Sequence, residues 1–206
     1  IQVVDWLLDL EKSGIDSELF SIVEIGPGEG TLSRDLIVAI SEIAPSLTSK
    51  IELVLVEINV GLRGRQEKVV NTLEGINYRW TNIEDLILSP VTGVVIANEV
   101  LDTLPVERLV FSDNKVFRQG VSLKKINDEY FLEFVDLNPT SEIIKFLEDS
   151  NSLLKIQFPP KDICNRWVTE WHCDVPSWFG KLSKVLINGS LLVVDYAMES
   201  KRYYNA

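Results

Sequence analysis

Along the first half of the chain, short apolar runs alternate with longer stretches in which apolar residues return every three or four positions. The runs at Ser21–Ile25, Ile51–Ile58, Ile76–Trp80 and Gly93–Ala97 predict strands. The last of these, GVVIA, is nearly all apolar, as a strand covered on both faces should be. IQVVDWLLDLEKSG at the start of the sequence predicts a helix. Thr31–Ala44 predicts a second, with Leu32, Leu36, Ile40 and Ile43 at helical spacing and Pro45 just beyond. Asn59 is placed to cap a third, which runs to about Val70. This rhythm predicts an α/β, Rossmann-like fold: a mostly parallel sheet with helices on both faces and right-handed crossovers.

After residue 105 the rhythm changes. Val106–Phe111, Lys115–Val121 and Tyr130–Val135 predict three strands joined by tight turns, SDNK and NDE. They predict a β insertion over about residues 106–135. Thr140 or Ser141 opens a helix to about Asn151, and residues 155–173 read as irregular and rich in aromatics. Pro176 suits the first turn of a helix that should end near Asn188-Gly189, and Ser190–Tyr196 is a further buried strand. One domain over residues 1–206 is the expected organisation.

Composition narrows the partners. Of 206 residues, 46% are hydrophobic and 25% charged, which fits a globular chain rather than a disordered one. The net charge of −11 disfavours nucleic acid, which needs a basic face; it is compatible with a cationic substrate and equally with the ordinary acidity of many soluble proteins. No apolar run approaches the roughly 20 residues that span a bilayer, so membrane insertion is not expected. The two cysteines, Cys164 and Cys173, suggest a reducing compartment. With His172, the only histidine, they supply too few ligands for a zinc site. His172 is expected to be structural, with a general base as its alternative role. Trp167, Trp171, Trp178 and Phe179 are expected in packing or over a pocket. The oligomeric state is left open.

The chemistry starts at VEIGPGEGT, residues 23–31. A glycine-rich turn between a strand and a helix is a nucleotide or nucleoside site in the right context, and the context is right on both sides. The dinucleotide fingerprint G-x-G-x-x-G is not met, because Thr31 stands where its last glycine belongs. The turn also carries Glu24 and Glu29 with no Lys or Arg, so a diphosphate there meets only carboxylates. At about 4 Å and an effective dielectric near 20, each such pair of like charges costs on the order of 4 kcal/mol. S-adenosylmethionine has no phosphate and carries a sulfonium and an ammonium, so it suits the turn better than NAD. Glu57, at the end of the second strand, is placed to accept hydrogen bonds from both ribose hydroxyls. After the third strand, Asn82 or Glu84 is expected to bond the adenine amine and Ile83 to pack on the ring.

VEIGPGEGTLSRDL, LVLVEIN followed by LRGRQ, ANEVLDTLPVERLV and LLVVDYA resemble, in that order, the MidA-like family of class I S-adenosylmethionine-dependent methyltransferases. The similarity covers about residues 20–110 and 189–204, and NEVLDTLPV is its most family-specific part. Mitochondrial members of that family are complex I assembly factors with protein-arginine methylation. The resemblance implies that Glu24, Gly26, Gly28, Gly30 and Glu57, with Pro27 and Thr31 of the same turn, line the cofactor. It also implies that Asn98, Glu99 and Asp102 face the transferred methyl. Two carboxylates there can grip a guanidinium in bidentate fashion and draw off charge as its nitrogen is alkylated. Asp195 and Tyr196, at the end of the last strand, are expected on the substrate side.

The expected function is therefore methyl transfer to an arginine of a protein partner. Its location is the cytoplasm in a bacterium or the mitochondrial matrix in a eukaryote. An assembly factor that binds the cofactor without turnover is the alternative, and an NAD-dependent oxidoreductase a more distant one. The family has more chain before the first helix and continues past a DYG that here reads Asp195-Tyr196-Ala197, so a fragment of a longer protein is expected.

Overall fold

The structure, a computed structural model, describes residues 1–15, 18–153, 155–160, 166–199 and 202. In chain order its elements begin with α1 (Gln2–Lys12), β1 (Phe20–Ile25), α2 (Thr31–Ile43), α3 (Pro45–Thr48), β2 (Ile51–Val56) and α4 (Val60–Val70). Then come β3 (Asn77–Thr81), α5 (Ile83–Leu88), β4 (Val91–Asn98), a 3-10 turn (Leu101–Thr103), β5 (Glu107–Ser112), β6 (Lys115–Ile126) and β7 (Glu129–Leu137). The last are α6 (Ser141–Ser152), β8 (Arg166–Trp171), α7 (Val175–Leu182) and β9 (Leu186–Val194).

The chain divides into two compact units. The first comprises Ile1–Thr103 and Val175–Ala197. Its sheet has five parallel strands in the order β3-β2-β1-β4-β9. All six residues of β1 are buried, which explains why the strand is apolar except at Ser21 and Glu24. Val3 and Leu7 of α1 and Ile37 and Ile40 of α2 share a core cluster with Ile22, Leu53 and Ile96 of the sheet. The strand order reverses between β1 and β4, the switch point at whose carboxyl edge open α/β sheets bind ligands.

The register sets Ser21 of β1 beside Gly93 of β4, and Gly93 beside Gly189 of β9. The strands approach so closely there that a Cβ on Gly93 would lie 1.9 Å from the Ser21 carbonyl oxygen. One on Gly189 would lie 1.8 Å from the Gly93 carbonyl oxygen. Their φ angles of 153° and 140° suit glycine alone. This corrects the reading of Asn188-Gly189 as a helix end. Gly189 is a strand residue demanded by close backbone approach, and α7 already stops at Leu182.

The second unit comprises Leu104–Asp174 with the described part of Met198–Ala206. Its antiparallel sheet runs β7-β6-β5-β8. The two hairpin turns are left-handed at both central residues, Asp113-Asn114 and Asn127-Asp128, as Asn- and Asp-rich tight turns favour. The insertion therefore forms where the turn sequences predict it. It also recruits β8 from the stretch expected to be irregular. In β8, Trp167, Thr169 and Trp171 alternate with Arg166, Val168 and Glu170, and the two tryptophans pack against a cluster built on Leu109, Phe111 and Ile143. His172, just past β8, is exposed, and Cys164 lies outside the described residues.

Candidate functional site

The turn after β1 is built by three glycines with left-handed backbone: Gly26 at φ 63°, Gly28 at 53° and Gly30 at 82°. The Gly26 amide donates to the Val56 carbonyl at 3.1 Å, and the Gly30 amide to that of Pro27 at 2.7 Å. Thr31 then starts α2. A Cβ on Gly28 would meet nothing within 4 Å, so this part of the turn borders open space.

The acids of the turn differ from the sequence reading. Glu24 is 3% exposed and points at the first turn of α2, where its carboxylate accepts hydrogen bonds from the Ser33 hydroxyl and amide. Burial is the dominant effect and pushes its pKa up to about 7, against the Ser33 hydrogen bonds. Gly30, at the N-cap, has no side chain to satisfy the helix start, and Glu24 does so from the strand below. Glu29 pairs with Arg65 of α4 at 2.8 Å. The turn is therefore less repulsive to phosphate than its sequence suggests. One acid is half protonated near neutrality, and the other has a guanidinium that is distant in sequence but adjacent in space.

Glu57 is 7% exposed just past β2. One of its oxygens accepts from the Asn59 amide at 2.7 Å and the other from Gln66 Nε2 at 3.2 Å. Each oxygen keeps a lone pair for a ligand, which fits a vicinal diol. The Asn59 cap on α4 forms as predicted, accepting from the Gly61 and Leu62 amides. Asn82, one of the two residues expected at the adenine amine, caps α5: its oxygen accepts from the Asp85 amide and its nitrogen donates to the Asp85 carboxylate, each at 2.8 Å. One amide proton remains for a ligand. Ile83, half-buried, opens α5. Glu84 pairs with Lys181 of α7 at 3.1 Å, and that hydrogen bond holds its carboxyl below the usual range.

At the carboxyl end of β4, Asn98 closes the strand opposite Val194 of β9. Glu99 follows with φ 53°, a left-handed conformation uncommon outside glycine and costly for a glutamate. Its amide donates to the Val194 carbonyl at 2.8 Å, and its carboxylate accepts from the Tyr196 hydroxyl at 3.1 Å. Hydrogen bonding to Glu99 and the charges of Glu99, Asp102 and Asp195 hold the Tyr196 phenol above its ordinary pKa. Asp195 does not present a free carboxylate. Its oxygens accept from the amides of Leu101 at 2.8 Å, Asp102 at 3.4 Å and Tyr196 at 2.7 Å, so it caps the 3-10 turn that carries Asp102. Burial raises its pKa, but these backbone amides overcome that effect and lower it. The structure thus gathers Glu99, Asp102, Asp195 and Tyr196 at one strand end. It leaves Asp102 exposed and makes Asp195 a support for the turn.

A family model described as "Putative S-adenosyl-L-methionine-dependent methyltransferase" matches residues 1–206. The chain belongs to this family. The match extends the MidA-like resemblance across the β insertion, and it sets aside the NAD reading. Among solved structures the chain is similar to a COG1565 superfamily member and "likely methyl transferase" from Burkholderia thailandensis bound to S-adenosyl-homocysteine. That match has 25% identity and a TM-score of 0.74, and covers 98% of this chain and 47% of that one. A native structure of a COG1565 superfamily protein from the same organism matches at 25% identity and a TM-score of 0.69, covering 98% and 50%. The chain spans about half the length of these solved relatives. No curated protein matches it.

Sequence reasoning missed Ser33, Arg65, Gln66 and Trp80 around the turn. A signal for Gln66 was present: it lies four residues after Leu62 and four before Val70, on the stripe of α4 that an apolar residue should fill.

Proposed function

We propose that this protein transfers a methyl group from S-adenosylmethionine to an arginine side chain of a protein partner, in the manner of respiratory complex I assembly methyltransferases. Family membership supports the cofactor. The observation that carries the acceptor reading is Glu99, strained into a left-handed backbone at the end of β4 and held by the Tyr196 hydroxyl at 3.1 Å.

When bound, S-adenosylmethionine supplies an electrophilic methyl on a sulfonium. Gly26–Thr31 would border it, Glu57 would accept from its ribose hydroxyls, and Ile83 would pack on its adenine. Glu24 acts beneath the turn, holding the start of α2. Glu99 and Asp102 grip the guanidinium, fix one nitrogen for in-line attack and take up the proton that nitrogen gives up. Tyr196 fixes the Glu99 carboxylate, and Asp195 fixes the turn that presents Asp102.

The test is incubation of the whole protein with labelled cofactor and a cell extract. One labelled band containing methylarginine is expected. Glu99→Gln should lower incorporation at least about tenfold while S-adenosylhomocysteine binding stays nearly unchanged. Bound cofactor with no labelled product would favour a non-catalytic assembly factor. Unchanged turnover in the variant would remove Glu99 from the mechanism.

A further inference from the structure

The LRGRQ segment has no role in the reading above, yet three of its residues reach the cofactor side of the sheet. Arg63 donates through Nε to the Glu57 carbonyl at 2.8 Å, and Arg65 pairs with Glu29 at 2.8 Å. Gln66 goes deepest. It is 0% exposed, in a helix with only one other buried residue, Val70. A helix that needed only packing would place an aliphatic side chain there.

The orientation of its amide is fixed by its partners. Trp80 Nε1 can only donate, and it donates to Gln66 Oε1 at 2.8 Å. The Gln66 nitrogen therefore faces the other way. Its protons go to the Gly28 carbonyl at 2.8 Å and to Glu57 Oε2 at 3.2 Å. Every hydrogen-bonding proton of this buried amide is used, so the group is rigid and inexpensive to bury. Because a trans peptide sets C=O and N–H on opposite sides, turning the Gly28 carbonyl toward α4 turns the Glu29 amide away from it.

We propose that Gln66 is a positioning residue that couples the glycine turn to Glu57, aiming that carboxylate at the ribose diol and thereby setting the selectivity of the site for a ribonucleoside. This rests on the S-adenosylmethionine reading above. With Gln66 in place, Glu57 has one oxygen held by the Asn59 amide and the other by Gln66. Without it, the carboxylate pivots on a single anchor and loses its fixed relation to the turn.

The test compares S-adenosylhomocysteine with its 2′-deoxy analogue by calorimetry. A hydrogen bond to a carboxylate is worth about 1.5–3 kcal/mol, so the unaltered protein should prefer the ribo form about tenfold or more. In Gln66→Met the affinity for the ribo form should fall at least about tenfold and the preference should shrink below about threefold. Trp80→Phe removes the bond to the Gln66 oxygen together with part of a ring that packs on Tyr78 and the core, leaves both Gln66 amide protons in place, and carries the same test if the first variant does not fold, with a smaller loss of preference expected. A folded variant of either kind that binds more weakly but keeps the full preference overturns the proposal, because a merely structural residue weakens both ligands alike. If the unaltered protein binds S-adenosylhomocysteine without preferring the ribo form, the proposal fails while the cofactor reading stands. If the unaltered protein binds neither, the cofactor reading falls and this proposal with it.

Discussion

A carboxyl group enclosed under the first turn of a helix gives up its proton late. Glu24 has a pKa of about 7 in the folded protein against 4.5 for an ordinary glutamate. Between those values the folded state holds more proton than the unfolded chain, so stability falls as pH rises through the window and levels off above it. The full effect is on the order of 3 kcal/mol. Urea unfolding between about pH 5 and about pH 8 should show this slope, and Glu24→Gln, which still accepts from Ser33, should flatten it. Glu84, Asp136 and Asp195 have lowered values, and their contributions disappear only in more acid solution. An equal slope in both proteins would place the titration elsewhere. At this scale the sequence revealed residue types but not directions. Glu57 lies at the end of β2 and accepts from the Asn59 amide, while Glu24 and Asn82 bond to Ser33 and Asp85, which lie within reach of the same turn. The partners of Glu29 and Glu57, Arg65 and Gln66, come from a helix that no local pattern places beside the turn.

Among the elements, β1, β2 and β4 were legible because burial on both faces leaves nearly uninterrupted apolar runs, whereas β9, expected to be buried, is only partly so. The limits failed where packing rather than propensity decides them. Asn188-Gly189 has the composition of a helix stop and is instead the place where β9 presses against β4. Residues 166–171 hide their alternation behind tryptophans on the inner face. α5 has only six residues, too few to show a period in the sequence. The glycine contact gives a sharp expectation. Gly93→Ala sets a methyl 1.9 Å from a backbone carbonyl that cannot move without parting β1 from β4. It should cost roughly 4 kcal/mol or more, seen as loss of soluble protein or a large drop in the urea midpoint. A variant as stable as its parent would show that the strands separate there without penalty.

For the whole molecule, the α/β class and the insertion were both readable from the change of rhythm near residue 105. What that pattern did not show is that each unit closes its own core. One cluster draws on α1, α2 and the parallel strands, and the other on Leu109, Phe111, Ile143 and the aromatics around them. Native-state hydrogen exchange should therefore resolve two cooperative openings, one shared by β1, β2 and β4 and one by β5 and β8. A common opening energy for all five strands would argue against two units. The connectivity of the larger unit also sets the timing of its birth. About 90 residues separate the end of β4 from the start of β9, its outer neighbour in the sheet. At ~5–20 residues per second on the ribosome, β4 waits roughly 5–20 s for that neighbour to be made. During that interval the nascent chain offers an open parallel edge beside Gly93, with no side chain to guard it.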